Sequence, residues 1–563
     1  MIPGWILLLV SAGYVGVLFA VAYYGDRHQN LPTSPPPRHR WLRPAVYSLA
    51  LAVYCSSWTF YGAVGTAART GLGFLPIYLG PLLMLMFGWR IIERLVLISG
   101  EHRIVSIADF LSSRYGRAPG LAALVAVVAL TAAVPYVSLQ FKAVAMSVQV
   151  LAGVPANAGI LADPALYVAL MLAVFAILFG TRRIDATEHH HGMVLAVALE
   201  SLVKLLAFVA IGVFALWHLP GDGGIAARIV QAVPVVVAPG LPAGFVAQTL
   251  LAFTAIVCLP RQFHVAVVEC QDPNDLRPAR WLFGGYLALI SVLVVPITLA
   301  GQAVLAGSGA SPDTYILALP LALKQETLAL IVYIGGFSAA TGMVIVSSVA
   351  LATMVSNDLV VPLLLRSGAL SEGQGIDRQV LWIRRATILA LALMAYAYHR
   401  SARGTDPLAQ HGLLAFAAVA QFAPALIGGL YWRGASRAGA FAGLFIGSLL
   451  WLYTLLLPAL AHNGWFATGW IQHGPLGASW LRPEQLFGLV GWDRLTHGTF
   501  WSLLFNVGAS VFVSMRQRPR LQDQLLAAPF LDPYVRRPAL GPGGWAGSVR
   551  GGELLALAER IVG

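Results

Sequence analysis

Charge is scarce in this sequence: Asp, Glu, Lys and Arg make up only 11% of its 563 residues. A soluble domain carries about twice that share. A soluble chain of this length must also cover a large surface with polar groups. The shortage excludes an ordinary soluble fold and makes lipid the main solvent. Cysteine is equally sparse. Cys55 and Cys258 lie inside apolar runs and Cys270 follows one, a spacing that supports neither a disulfide framework nor a metal site. No glycine-rich phosphate loop ending in lysine is present, which removes the case for an ATP-driven pump. No G-x-S-x-G element is present either. The amino terminus has neither a basic stretch nor a small-residue cleavage site, so the first apolar run reads as a retained helix.

Hydrophobic length is what the chain has in abundance. The apolar fraction is 58% and the mean hydropathy is +0.75. A helix needs about 20 apolar residues to cross the hydrocarbon. About thirteen spans are expected, near 4–24, 44–66, 73–93, 118–151, 164–180, 191–217, 243–268, 281–305, 327–357, 382–399, 411–432, 438–459 and 497–515. They are numbered here as spans 1 to 13. The runs are too long and too uniformly apolar for barrel strands, so the fold class is an all-α polytopic membrane protein. The net charge of +12 reflects arginine-rich loops on one side, with no nucleic-acid partner implied. Placing the amino terminus outside puts 26 of the 36 Lys and Arg residues on the cytoplasmic side and 7 on the other. The expected topology is therefore N-terminus outside and C-terminus cytoplasmic.

Between the spans, LPTSPPPRHR (31–40) is a proline-rich loop that cannot be helix. Residues 100–117 are too polar to span. Ser106 is a candidate cap for a short interfacial helix in which Ile107, Phe110 and Leu111 face one side. After Met515 the hydrophobicity ends, and residues 516–563 read as a cytoplasmic linker that begins a further region.

Two spans look interrupted. Span 2 gathers Cys55, Ser56, Ser57, Thr59 and Gly62 at its middle. Span 7 contains Pro260, which lacks the amide proton that continues a helix, followed at once by Arg261, Gln262 and His264. Unwound backbone at membrane depth is tolerated where it lines a cavity, so polar residues at such a break form a binding-site hypothesis. The competing reading is a plain proline kink with Arg261 reaching the interface. If the helix resumes directly after Pro260, Arg261 and His264 share one face. Spans 2 and 7 are five apart, and broken helices at matching places of inverted repeats point to the site of a secondary transporter. In span 9, Ser338 and Thr341 share a helix face and could hold a cation; small residues of this kind also serve close helix packing. Glu200 and Lys204 in span 6 are four apart and can neutralise each other, which reads as structural. Lys142 in span 4 faces the interior or snorkels. The run His189-His190-His191 reads as a solvated loop.

Three stretches carry a resemblance: SIADFLSSRYG (106–116), PYVSLQFKAVAMSVQVL (135–151) and APALIGGLYWRGASRAGAFAGLFIGS (423–448). Together they resemble the sodium:solute symporter family over about residues 1–515. CLPRQFHVAVVE (258–269), GTRRIDATEHHHG (180–192) and GGFSAATGMVIVSSVALATMVSNDLVVP (335–362) are similar to the transporter-like N-terminal domain of CbrA-type sensor histidine kinases. The resemblance implies a LeuT-like 5+5 inverted repeat, with spans 2–6 and 7–11 as the repeats. It implies a candidate sodium site at Ala52, Cys55, Ser338, Thr341 and Gly342. Gly342 stands where sodium-coupled members often have a second hydroxyl, so one ligand is expected to be lost and H+ stays open beside Na+ as coupling ion. The implied substrate site comprises Ser56, Ser57 and Trp58 of span 2 and Cys258, Arg261, Gln262 and His264 of span 7, walled by spans 4 and 11.

The expected function follows from the resemblance. The chain is a non-enzymatic domain of a bacterial inner membrane that binds and moves a small solute. The solute class is an amino acid, with histidine the first candidate. The domain senses that solute for a two-component histidine kinase and response regulator, whose kinase core lies outside this chain. The alternative is a stand-alone Na+- or H+-coupled symporter with no signalling role. Apart from Na+ or H+, no cofactor is expected.

Overall fold

A computed structural model describes residues 2–27, 41–153, 163–180, 191–224, 240–367, 376–401, 407–517 and 521–534, with isolated positions among 159–160 and 227–234. Among the described residues the regular structure is entirely helical. The proline-rich stretch 31–40, most of 180–192 with His189 and His190, and residues 535–563 lie outside them. His191 is described, and its Nδ1 lies 2.9 Å from the Gln271 amide.

Among the described residues nine helices are long and apolar enough to cross a membrane, and up to eleven are if each of two bent pairs is one span. Spans 2 and 5 contribute shorter apolar helices at Leu42–Tyr54 and Pro164–Leu178. The structure therefore supports a multi-pass membrane protein with about nine to eleven candidate spans, short of the expected thirteen. Breaks divide the apolar runs of spans 2 and 7 into shorter pieces. One bend, of 57°, joins Trp58–Phe74 to Pro76–Phe87; the other, of 50°, joins Phe245–Cys258 to Pro260–Val268.

The core sits where helices from both halves of the chain meet. Span 9, running over Glu326–Met354, is buried along nearly its whole middle by Gly, Ala, Ser and Thr, which let neighbouring backbones approach. It packs on His191–Trp217 (span 6) and on Pro119–Ala152 (span 4). The interrupted span 2 threads between them and is clamped at both ends. Arg43 pairs with Asp272 and Asp275, each at 2.6 Å. The first of these carboxyls is held below its ordinary range by the Asn274 amide and then by Arg43. At the other end Arg69 pairs with Asp313 at 2.6 Å.

Ser106 caps Ile107–Arg114, its Oγ accepting from the Asp109 amide at 3.0 Å. Ile107, Phe110 and Leu111 are fully buried in that helix. Beyond the last span, Leu521–Leu531 forms a helix that docks back on this element: Phe530 stacks on His102 and meets Phe110 edge-on.

Candidate functional site

Two broken helices build the site. Leu42–Leu51 passes into a single 3-10 turn, Ala52–Tyr54, and then Cys55 turns extended with ψ 93°. Regular helix returns only after the widened turn Trp58–Gly62. In span 7 the helix stops at Cys258, Leu259 is extended with ψ 126°, and Pro260 starts a four-residue helix. With no amide proton on Pro260, the Ile256 carbonyl loses its partner four residues on. The two breaks touch. Gln262 Nε2 donates to the Leu51 carbonyl at 3.1 Å, and the Tyr47 hydroxyl donates to the Ala266 carbonyl at 2.6 Å.

Span 4 supplies the third wall. The Tyr136 hydroxyl lies 3.3 Å from Ser56 Oγ and accepts from Arg261 Nη2 at 2.8 Å. The Arg261 guanidinium also lies over the Tyr136 ring, 4.5 Å from its centroid. Gln140 Oε1 accepts from the Ser57 amide at 3.1 Å. Phe416 of span 11 packs against Tyr136 and against Trp58. Thus Ser56, Ser57, Trp58 and Arg261 come together around Tyr136 and Gln140, while Gln262 bonds Leu51 and lies among Tyr47, Leu85 and Phe283. Cys258 is fully buried at the end of its helix.

His264 does not join them. It begins the widened turn His264–Val268, and its Nε2 lies 3.2 Å from Glu269 Oε1. The cationic face expected from Arg261 and His264 is therefore divided, because the two side chains meet different partners. Tyr136 and Gln140 were the residues that sequence reasoning missed as site members; a Gln inside an apolar span was the available signal.

The candidate cation site differs more. Its five residues fall into two groups: Ala52 and Cys55 meet Lys204, and Ser338, Thr341 and Gly342 meet Glu200, two side chains one turn apart on span 6. Lys204 Nζ donates to the Ala52 carbonyl and to the Cys55 carbonyl, each at 2.7 Å. Thr341 Oγ1 donates to Glu200 Oε1 at 2.5 Å. Ser338 Oγ donates to the Glu200 carbonyl at 2.7 Å and accepts from Tyr14 at 2.8 Å. A Cβ on Gly342 would meet Glu200 Oε2 at 2.2 Å. The expectation of a lost ligand at Gly342 is corrected accordingly: the missing side chain is the room that a carboxylate occupies. Glu200 and Lys204 act on each other electrostatically, as their i, i+4 spacing leads one to expect, while their end groups bond different helices. The oxygen donors suit a hard cation, and the cation at the carbonyls is the chain's own ammonium. A second unit charge about 4 Å from it would be repelled by about 4 kcal/mol at an effective dielectric of 20. Among the described residues no group of three or more His, Cys, Asp or Glu is placed to hold a metal ion.

Comparison with known proteins bears on this arrangement. Residues 40–220 match the model of the sodium:solute symporter family, a segment that includes the first break, Tyr136, Glu200 and Lys204. No curated protein matches the chain. A solved structure of a Na+-coupled sialic acid symporter, in a substrate-bound outward-open state, superposes with a TM-score of 0.62 at 11% identity, covering 91% of this chain and 98% of that one. The chain shares the fold of that structure. A manganese transporter of Eremococcus coleocola, in mutant form, gives a TM-score of 0.45 at 13% identity, covering 88% of this chain and 97% of that one.

Proposed function

We propose that this chain is a secondary-transporter-like domain that binds an amino acid where its two broken helices cross, and moves it across a bacterial inner membrane. One observation carries the reading. Ser57 Oγ, Arg261 Nε and Gln262 Oε1 are buried at this crossing with no hydrogen-bond partner. Buried polar groups are normally satisfied, and each unsatisfied one costs stability. Among the described residues no carboxylate pairs with Arg261, which is 2% exposed. Two of the three groups, the guanidinium and the hydroxyl, suit a carboxylate; the third, an amide oxygen, suits an ammonium. An α-amino acid presents both. Histidine is the first candidate because of the resemblance to CbrA-type proteins. Na+ or H+ is the coupling ion.

The test is solute binding in detergent against a panel of amino acids, with Arg261→Gln and Gln262→Ala beside the parent. Hydrogen bonds to charged groups are worth about 1.5–3 kcal/mol, so each variant is expected to lose about ten- to hundredfold in affinity. Folded variants that bind like the parent place the solute elsewhere.

A signalling role is a second reading, with its own observation. Phe263, directly after Gln262, meets Phe110, and Phe110 meets Phe530 of the tail helix. A rearrangement at the break would be felt at residues 521–531, the start of the proposed linker 516–563 towards a histidine kinase.

A further inference from the structure

The place the resemblance gives to a sodium ion is held by Lys204. The ammonium bonds both carbonyls of the first break, Ala52 and Cys55, at 2.7 Å. One turn before it on the same helix, Glu200 is bonded by Thr341 and Ser338, and the missing side chain of Gly342 admits Glu200 Oε2. That carboxylate oxygen is buried with no hydrogen-bond partner. The site thus holds two free-standing features of a cation site, converging carbonyls and a buried carboxylate, together with a cation covalently tied to span 6. An ammonium donating to those carbonyls and a metal ion accepting from them cannot share the same lone pairs.

We propose that Lys204 is a tethered competitor of the coupling cation: its ammonium and Na+ bind the Ala52 and Cys55 carbonyls in alternation, so Lys204 sets how weakly the chain responds to sodium. Removing the ammonium leaves two carbonyls, the Thr341 hydroxyl and the Glu200 carboxylate. All are oxygen donors, and the local charge becomes negative. Such a set attracts Na+ more strongly than the parent does. The inference rests on the symporter reading only in taking Na+ as the competing ion; it does not depend on which solute binds.

Thermal denaturation in detergent, without solute, tests it. The parent, Lys204→Ala and Lys204→Gln are titrated with NaCl against choline chloride at matched ionic strength. The expected result is a weak sodium response in the parent and, in both variants, a saturable stabilisation whose midpoint lies at least tenfold lower in sodium. An unchanged midpoint overturns the proposal, as does a saturable response in the parent that the variants lose. If Lys204→Ala folds only in sodium, the competitor role is supported. If neither variant folds at any sodium concentration, the ammonium is structural and the proposal falls. A sodium response that behaves as expected, with no amino acid bound by any form, would leave this inference standing and reject the solute reading.

Discussion

Gly342 illustrates how one residue changes meaning between sequence and structure. In sequence it is a hydroxyl that is missing; in three dimensions it is space for Glu200. A Cβ there would lie 2.2 Å from a carboxylate oxygen, inside any permitted contact. Gly342→Ser is therefore expected to destabilise the fold by about 1–3 kcal/mol, as overpacking commonly does. The clash names its partner, so combining it with Glu200→Ala should recover part of the loss, with a coupling of about 0.5–3 kcal/mol. Strict additivity of the two changes in thermal unfolding would show that Glu200 is not what Gly342 makes room for. Lys204 was visible in sequence as half of an i, i+4 pair, and that spacing accounts for a neutral helix face. It says nothing of the carbonyls of residues 52 and 55, about 150 positions away, to which the ammonium turns.

Elements show a similar division. The break in span 7 is legible because proline cannot donate the next helical hydrogen bond. The break in span 2 is legible because small and polar residues collect in an apolar run. That the two breaks meet through Gln262 and Leu51 is a matter of packing between distant segments. The short helix after Ser106 was readable from its cap and its apolar spacing, but the tail helix that covers it was not. That docking yields a test of the signalling reading. Solute binding should change hydrogen exchange of the amides in 521–531, and Phe530→Ala, which removes the ring between His102 and Phe110, should abolish the change. Identical exchange with and without a bound solute would disconnect the tail from the site.

For the whole molecule, the side of the membrane faced by each loop is a matter of Lys and Arg distribution. Ser479→Cys and Gln524→Cys, each in a background lacking the three native cysteines, are expected to separate the faces. Both positions are exposed. An impermeant thiol reagent added to intact cells should reach the first and miss the second, and the opposite pattern would invert the topology. A cavity of about 590 Å³ opens between His411, His462 and Arg494, near the loop that holds Ser479. It is continuous in sequence with Gly412, whose missing side chain lets Trp58 pack closely. The sequence alone determined the solvent, the helical class and the places where helices must break, because hydrocarbon length and the missing proline donor act within a single segment. Only the tertiary structure decided what each break faces. A crossing of two broken helices lined by Tyr136 and a carbonyl pair held by Lys204 both depend on which remote helices pack side by side, and one segment's periodicity carries no such information.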